Sequence, residues 1–166
     1  MNETKRRAIA QAEAAARETA STLGLEVVEF VFHDQGRHSH LRIDLDRAGP
    51  EGVGLRDCEA FSRALDARID TLPGLEQAYE LQVSSPGIDR PIRSDDDIRR
   101  NTGRAVRAEL RDDAGRFEEL HGVLAGLDAD GAVRIVSAGD ERRLSRAHIV
   151  LMKQEVSSSG SRRRDR

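Results

Sequence analysis

One stretch governs what this chain can fold into: residues 80–93, which read ELQVSSPGIDRPIR. It begins as an alternating strand and then breaks into a proline-glycine pair followed by Asp89, Arg90 and Pro91. Proline fixes its own φ and glycine takes a positive one, so Pro86 and Gly87 fit the two central positions of a type II turn. Pro91 pushes Arg90 towards an extended conformation. A turn followed by a stiff extended piece suits a junction between two bodies, and the hydrophobic pattern differs on its two sides. The boundary falls near Pro91, giving an N-terminal domain over 1–91, a second over 92–156 and a basic tail over 157–166. The tail has nothing to bury and is expected to be disordered.

Before the junction the periodicities alternate between helix and strand. Ile9, Ala12, Ala16, Ala20 and Leu23 recur at spacings of three and four, predicting a helix over 4–23 that Gly24 ends. Residues 25–33 read as a strand with Val28, Phe30 and Phe32 on one face. After a turn, residues 40–47 alternate, with Leu41, Ile43 and Leu45 inward and Arg42, Asp44 and Asp46 outward. A glycine-rich loop over 48–54 leads to a second helix carrying Leu55, Cys58, Phe61, Leu65, Ile69 and Leu72 on one side, stopped by Pro73 and Gly74. Tyr79, Leu81 and Val83 share a face of a third strand. The order α-β-β-α-β lets two helices cover one face of a three-stranded sheet.

Past Arg93 the segments shorten. Ser94 followed by Asp95, Asp96 and Asp97 predicts an N-cap and a short helix to about Asn101. Five apolar segments follow, separated by Asp-, Ala- and Gly-rich breaks, a pattern that suggests a small β-barrel. The fold class expected is therefore α+β in two domains.

Charge narrows the function. The net charge is −3: residues 1–91 carry −5, residues 92–156 carry −1, and the last ten carry +3. A protein that holds nucleic acid by its phosphates normally has a clear cationic excess, which the body of this chain lacks. No apolar run is long enough to span a membrane, and the N-terminus lacks the apolar stretch of a secretory signal. The single cysteine, Cys58, lies on a predicted core stripe and cannot close an internal disulfide, which fits a reducing cytoplasm.

Candidate chemistry is sparse. Ser84 or Ser85 as a nucleophile would need a base and an oxyanion hole, and no histidine partner or nucleophile elbow is evident. His33, His38 and His40 flank a hairpin turn without an accompanying cysteine, so no metal site is assigned. The Gly49–Gly52 stretch matches an RNA-clamping GxxG tetrapeptide but joins a strand to a helix rather than two helices. Tyr79 and the phenylalanines fall mostly on core faces, leaving no platform for stacking bases. The arginines offer more: Arg90, Arg93, Arg99, Arg100 and Arg104 flank the junction, and Arg142, Arg143 and Arg146 lie late in the second domain. Guanidinium forks suit phosphates and carboxylates equally.

The run from Val83 through Pro91 resembles the V-S-S-P-G-x-D-R-P signature of the RimP family of ribosome maturation factors, with isoleucine at positions 88 and 92 where leucine is common. The opening helix, the Glu29-Phe30-Val31 strand, the stretch from Gly52 to Cys58 and the start of the second domain are similar in the same order. This resemblance implies a cytoplasmic bacterial factor, with an Sm-like barrel as its second domain, that binds the immature small ribosomal subunit and aids its late maturation without catalysis or cofactor. It implies small-subunit ribosomal protein twelve as partner, with ribosomal RNA nearby, and a monomer at no membrane. Ser85, Pro86, Gly87, Asp89, Arg90 and Pro91 would set the domain geometry, with Asp89 and Arg90 bonding across the junction. Arg93, Arg99, Arg100, Arg104, Arg142, Arg143 and Arg146 are the candidate RNA contacts. A free RNA-binding or annealing module working through the barrel is the rival reading, and an enzyme comes last.

Overall fold

A computed structural model describes residues 3–35, 39–75 and 79–156. The chain divides between Pro86 and Gly87 into two compact units. His38, expected in the first hairpin turn, and the 157–166 tail lie outside the described residues.

The first unit contains α1 (Glu3–Thr22), β1 (Glu26–His33), β2 (Ser39–Asp46), α2 (Leu55–Ile69) and β3 (Tyr79–Ser84). Its sheet order is β1-β2-β3, with β2 antiparallel to β1 and parallel to β3. A parallel neighbour cannot be reached by a tight turn, and α2 is the crossover that makes it possible. Ala8, Ala12, Ala16 and Ala20 of α1 pack with Phe61, Leu65 and Ile69 of α2 and with Leu41, Ile43 and Leu45 of β2. A face of alanines lets α1 approach closely. Gly74, at φ +102°, follows suit, since a Cβ there would stand 3.3 Å from Ala8 and Thr4.

Several expectations for this unit need correction. On α2, Leu55 is exposed rather than on the buried side, and the helix ends at Ile69, before Pro73 and Gly74. The stripe of α1 does not reach Leu23, which lies past the helix end and is exposed while Leu25 is buried. Val28 does not share the inward face: a bulge between Val27 and Glu29 resets the alternation, so Val27 is buried and Phe30 and Phe32 face the core after it. Asp44 and Asp46 are buried rather than outward. Asp44 is held by two hydrogen bonds from the Arg42 guanidinium, at 2.7 and 3.1 Å, and one from the Ser84 hydroxyl at 3.0 Å. Alternation reports which face a side chain takes, not whether polar neighbours cover it.

The second unit contains α3 (Asp95–Asn101), β4 (Ala105–Arg111), β5 (Phe117–Leu127), β6 (Val133–Ser137), β7 (Asp140–Leu144) and β8 (Ile149–Gln154). The five predicted segments are these five strands, in the order β7-β6-β5-β4-β8. β5 serves two partners: Phe117 to Val123 pair with β4, and Val123 to Leu127 with β6. A Cβ on Gly122 would lie 2.4 Å from the Val136 carbonyl oxygen, so only glycine fits where these strands converge. The sheet curls, for the Ser137 hydroxyl donates to the His121 carbonyl at 2.7 Å and Arg142 of β7 pairs with Glu118 of β5. It does not close into the expected barrel. A single 3-10 turn, Arg146–His148, carries the chain from β7 to β8 with no ladder between them. Val106, Ala108, Leu124, Val133, Ile135 and Met152 fill its core, with Ile98 of α3 against them.

Candidate functional site

At the junction, the Ser84 hydroxyl is committed to Asp44 and Ser85 is exposed; neither has a histidine partner among the described residues. Gly87 takes φ +77° in open space, as the proline-glycine pair requires. The turn itself lies further on, at Ile88 and Asp89. The Asp89 carboxylate is almost fully exposed, 3.8 Å from the Lys153 ammonium, and Arg90 is half-buried and engaged. Pro91 bridges to Lys153, and the Ile92 amide donates to the Met152 carbonyl at 2.8 Å while its side chain enters the second core. The extended half of the motif is thus a short strip laid against β8.

The N-terminus of α3 follows directly. The Ser94 hydroxyl accepts from the Asp97 amide at 3.0 Å, and the Asp97 carboxylate accepts from the Ser94 and Arg93 amides at 3.0 and 3.2 Å. This reciprocal cap satisfies amides that a helix start leaves without intrahelical partners. Partial burial works against the charge on Asp97, but the amides of Ser94 and Arg93, the Ser94 hydroxyl and the Arg100 charge outweigh it. Its carboxyl is held below the usual range.

Most of the seven candidate arginines are spoken for. Arg99 pairs with Asp96 at 3.5 Å and Arg100 with Asp97 at 2.5 Å. Arg104 donates to the Asn101 side chain at 3.2 Å. Arg142 holds Glu118, Arg143 holds Asp128 and Asp130, and Arg146 holds Asp95. Arg100 and Arg104 are also buried, which puts them out of a phosphate's reach. Arg93 is exposed and, alone of the seven, engages no partner through its side chain among the described residues.

Two features escaped the sequence. The first is a flank of α2, where Glu59, Asp66 and the C-cap Asp70, seven and four residues apart, share one face with Arg63 among them. None of the three forms an ion pair among the described residues. Partial burial and the neighbouring Asp70 push the Asp66 carboxyl up. Burial, with Asp66 and Asp70 nearby, pushes the Tyr79 phenol up to about 12. The second is Phe117, exposed at the rim of a groove of about 410 Å³ whose lining includes Leu110, Leu144, Arg142 and His148. A strand's first residue has no periodicity to betray that it faces out. No helix among the described residues is long and apolar enough to cross a membrane.

Residues 15–89 match the family model described as the RimP N-terminal domain. The matched span runs from the second half of α1 through the first unit's three strands and α2 to Asp89, so it covers the sheet, the crossover and all of the signature but Arg90 and Pro91. On that match, the first unit carries the N-terminal domain of the RimP family of ribosome maturation factors.

Proposed function

We propose that this chain promotes late maturation of the small ribosomal subunit in the cytoplasm, as a monomer and without catalysis, by docking its first unit on a basic ribosomal protein. Small-subunit ribosomal protein twelve is the partner the family resemblance implies. The observation that carries the reading is the stripe of Glu59, Asp66 and Asp70 on α2, inside the span that matches the family domain. Uncommitted carboxylates on one face steer and orient a cationic partner. The second unit supports the reading by what it lacks. Its arginines are mostly neutralised by neighbouring carboxylates, so a free RNA-annealing module is the weaker alternative. Its curled sheet, tied back from β7 to β5, is compatible with an Sm-like fold. Asp89 and Arg90 remain the candidates for setting domain geometry at the junction.

Co-sedimentation with free small subunits, mature ribosomes and protein-free RNA, at low and high salt, tests this. Selective and fairly salt-resistant binding to free small subunits is the expected result. The triple variant Glu59→Lys, Asp66→Lys and Asp70→Lys should weaken it at least tenfold while leaving helical content unchanged by circular dichroism. Undiminished binding by that variant removes α2 from the interface, and wild-type binding to bare RNA alone overturns the reading.

A further inference from the structure

The sequence offers no aromatic platform, yet the fold builds one. Phe30, Phe32 and Phe61 pack on the first core, whereas Phe117, the first residue of β5, is 58% exposed. A single exposed apolar side chain needs no explanation by itself; its surroundings make this one a site. Directly across the β4–β5 ladder stands Arg111, exposed on the same face, with no side-chain partner among the described residues. Behind the ring lies the groove of about 410 Å³, with the buried side chains of Leu110 and Leu144 in its lining. The cations that line the groove, Arg116, Arg142 and His148, are each matched by a carboxylate: Asp112, Glu118 and Asp113.

This arrangement selects among ligands. A duplex tracked by its phosphates wants a broad cationic field, and beside Phe117 stands one uncommitted guanidinium, that of Arg111. A peptide helix or strand wants several apolar anchors at regular spacing, and the rim exposes one. An unpaired base needs a π-face to stack on and a nearby cation for its phosphate, which is what Phe117 and Arg111 supply side by side. We infer that Phe117 and Arg111 form a subsite for one unstacked base of single-stranded RNA, the ring stacking on the base and the guanidinium meeting the adjoining phosphate. The choice of RNA over other single strands rests on the ribosome-factor reading above.

Fluorescence anisotropy of the full chain with a short labelled oligoadenylate, at low and higher salt, tests it. Wild type binds, and Phe117→Ala weakens binding by about tenfold, the scale of one base–aromatic stack. Phe117→Tyr keeps the ring and retains the affinity. Arg111→Gln weakens binding and flattens its salt dependence, as expected for one lost phosphate contact. Thermal unfolding of each variant establishes that the second unit is intact. Equal affinity of wild type and Phe117→Ala, or no binding by wild type, overturns the subsite. Co-sedimentation of the same variants separates the two ideas. Normal small-subunit binding with no effect of Phe117→Ala on the oligonucleotide sinks the subsite and leaves the assembly reading standing. Lost subunit binding with unchanged oligonucleotide affinity assigns the groove to a ribosomal protein instead, which also overturns the subsite.

Discussion

His121 stands between two carboxylates, with Nδ1 3.0 Å from Glu155 and Nε2 2.8 Å from Glu119. The bond to Glu155, then that to Glu119, raises its pKa above the ordinary 6.5. Because the folded value exceeds the unfolded one, the charged ring's contribution to stability is complete below the unfolded pKa. It is lost as pH rises through the folded value. The groups are well exposed, so the gain is small and salt-sensitive. An NMR titration should place the His121 midpoint above that of an unstructured peptide, and Glu155→Gln should bring it down; a midpoint at or below the peptide's contradicts the geometry. At this scale the sequence told only part of the site. The arginines could be named, but a guanidinium's availability depends on which carboxylate the fold brings to it. Arg143 meets Asp128 and Asp130 across strands, a pairing that no linear spacing encodes. Phe117 was missed for a related reason: sequence periodicity assigns faces within a strand and loses meaning at its first residue.

Among the elements, α3 is the one whose limits local chemistry sets most completely. Ser94 and Asp97 cap each other's amides at its start, and the helix runs for only seven residues, so the cap is a large share of its support. Ser94→Ala should cost about 1 kcal/mol, the usual worth of an N-cap side chain, read as a lower denaturation midpoint of the second unit with an unchanged slope. No change would mean that Ile98, buried in the core, holds the helix without its cap. This helix was readable from four consecutive residues because its signal is local. The five short strands between their turns were readable for the same reason, whereas α2 stops at Ile69, short of the Pro73 and Gly74 expected to end it. The bulge in β1 was not readable, since pairing with β2 resets its register after Val27. Nor was the open seam between β7 and β8, because closure depends on the curl of the whole sheet rather than on any strand's composition.

At the scale of the molecule, each unit carries a core of its own, centred on Phe61, Leu65 and Ile43 in the first and on Leu124, Ile135 and Val106 in the second. Fragments spanning residues 3–86 and 87–156 should therefore each fold alone and melt cooperatively. Phe61→Ala should cost the first about 3–5 kcal/mol, as truncation of a fully buried aromatic does. A first fragment that stays unfolded on its own, by circular dichroism and calorimetry, would refute its independence. The strip of Pro91 and Ile92 against β8 has a further consequence. A sheet margin with free amides and carbonyls is a template on which other chains can polymerise. Here one margin is occupied by a short segment headed by a residue that has no N–H to offer, and the other, β7, bears Asp140, Glu141, Arg142 and Arg143. The second unit is thereby guarded at both margins against growing into fibrils.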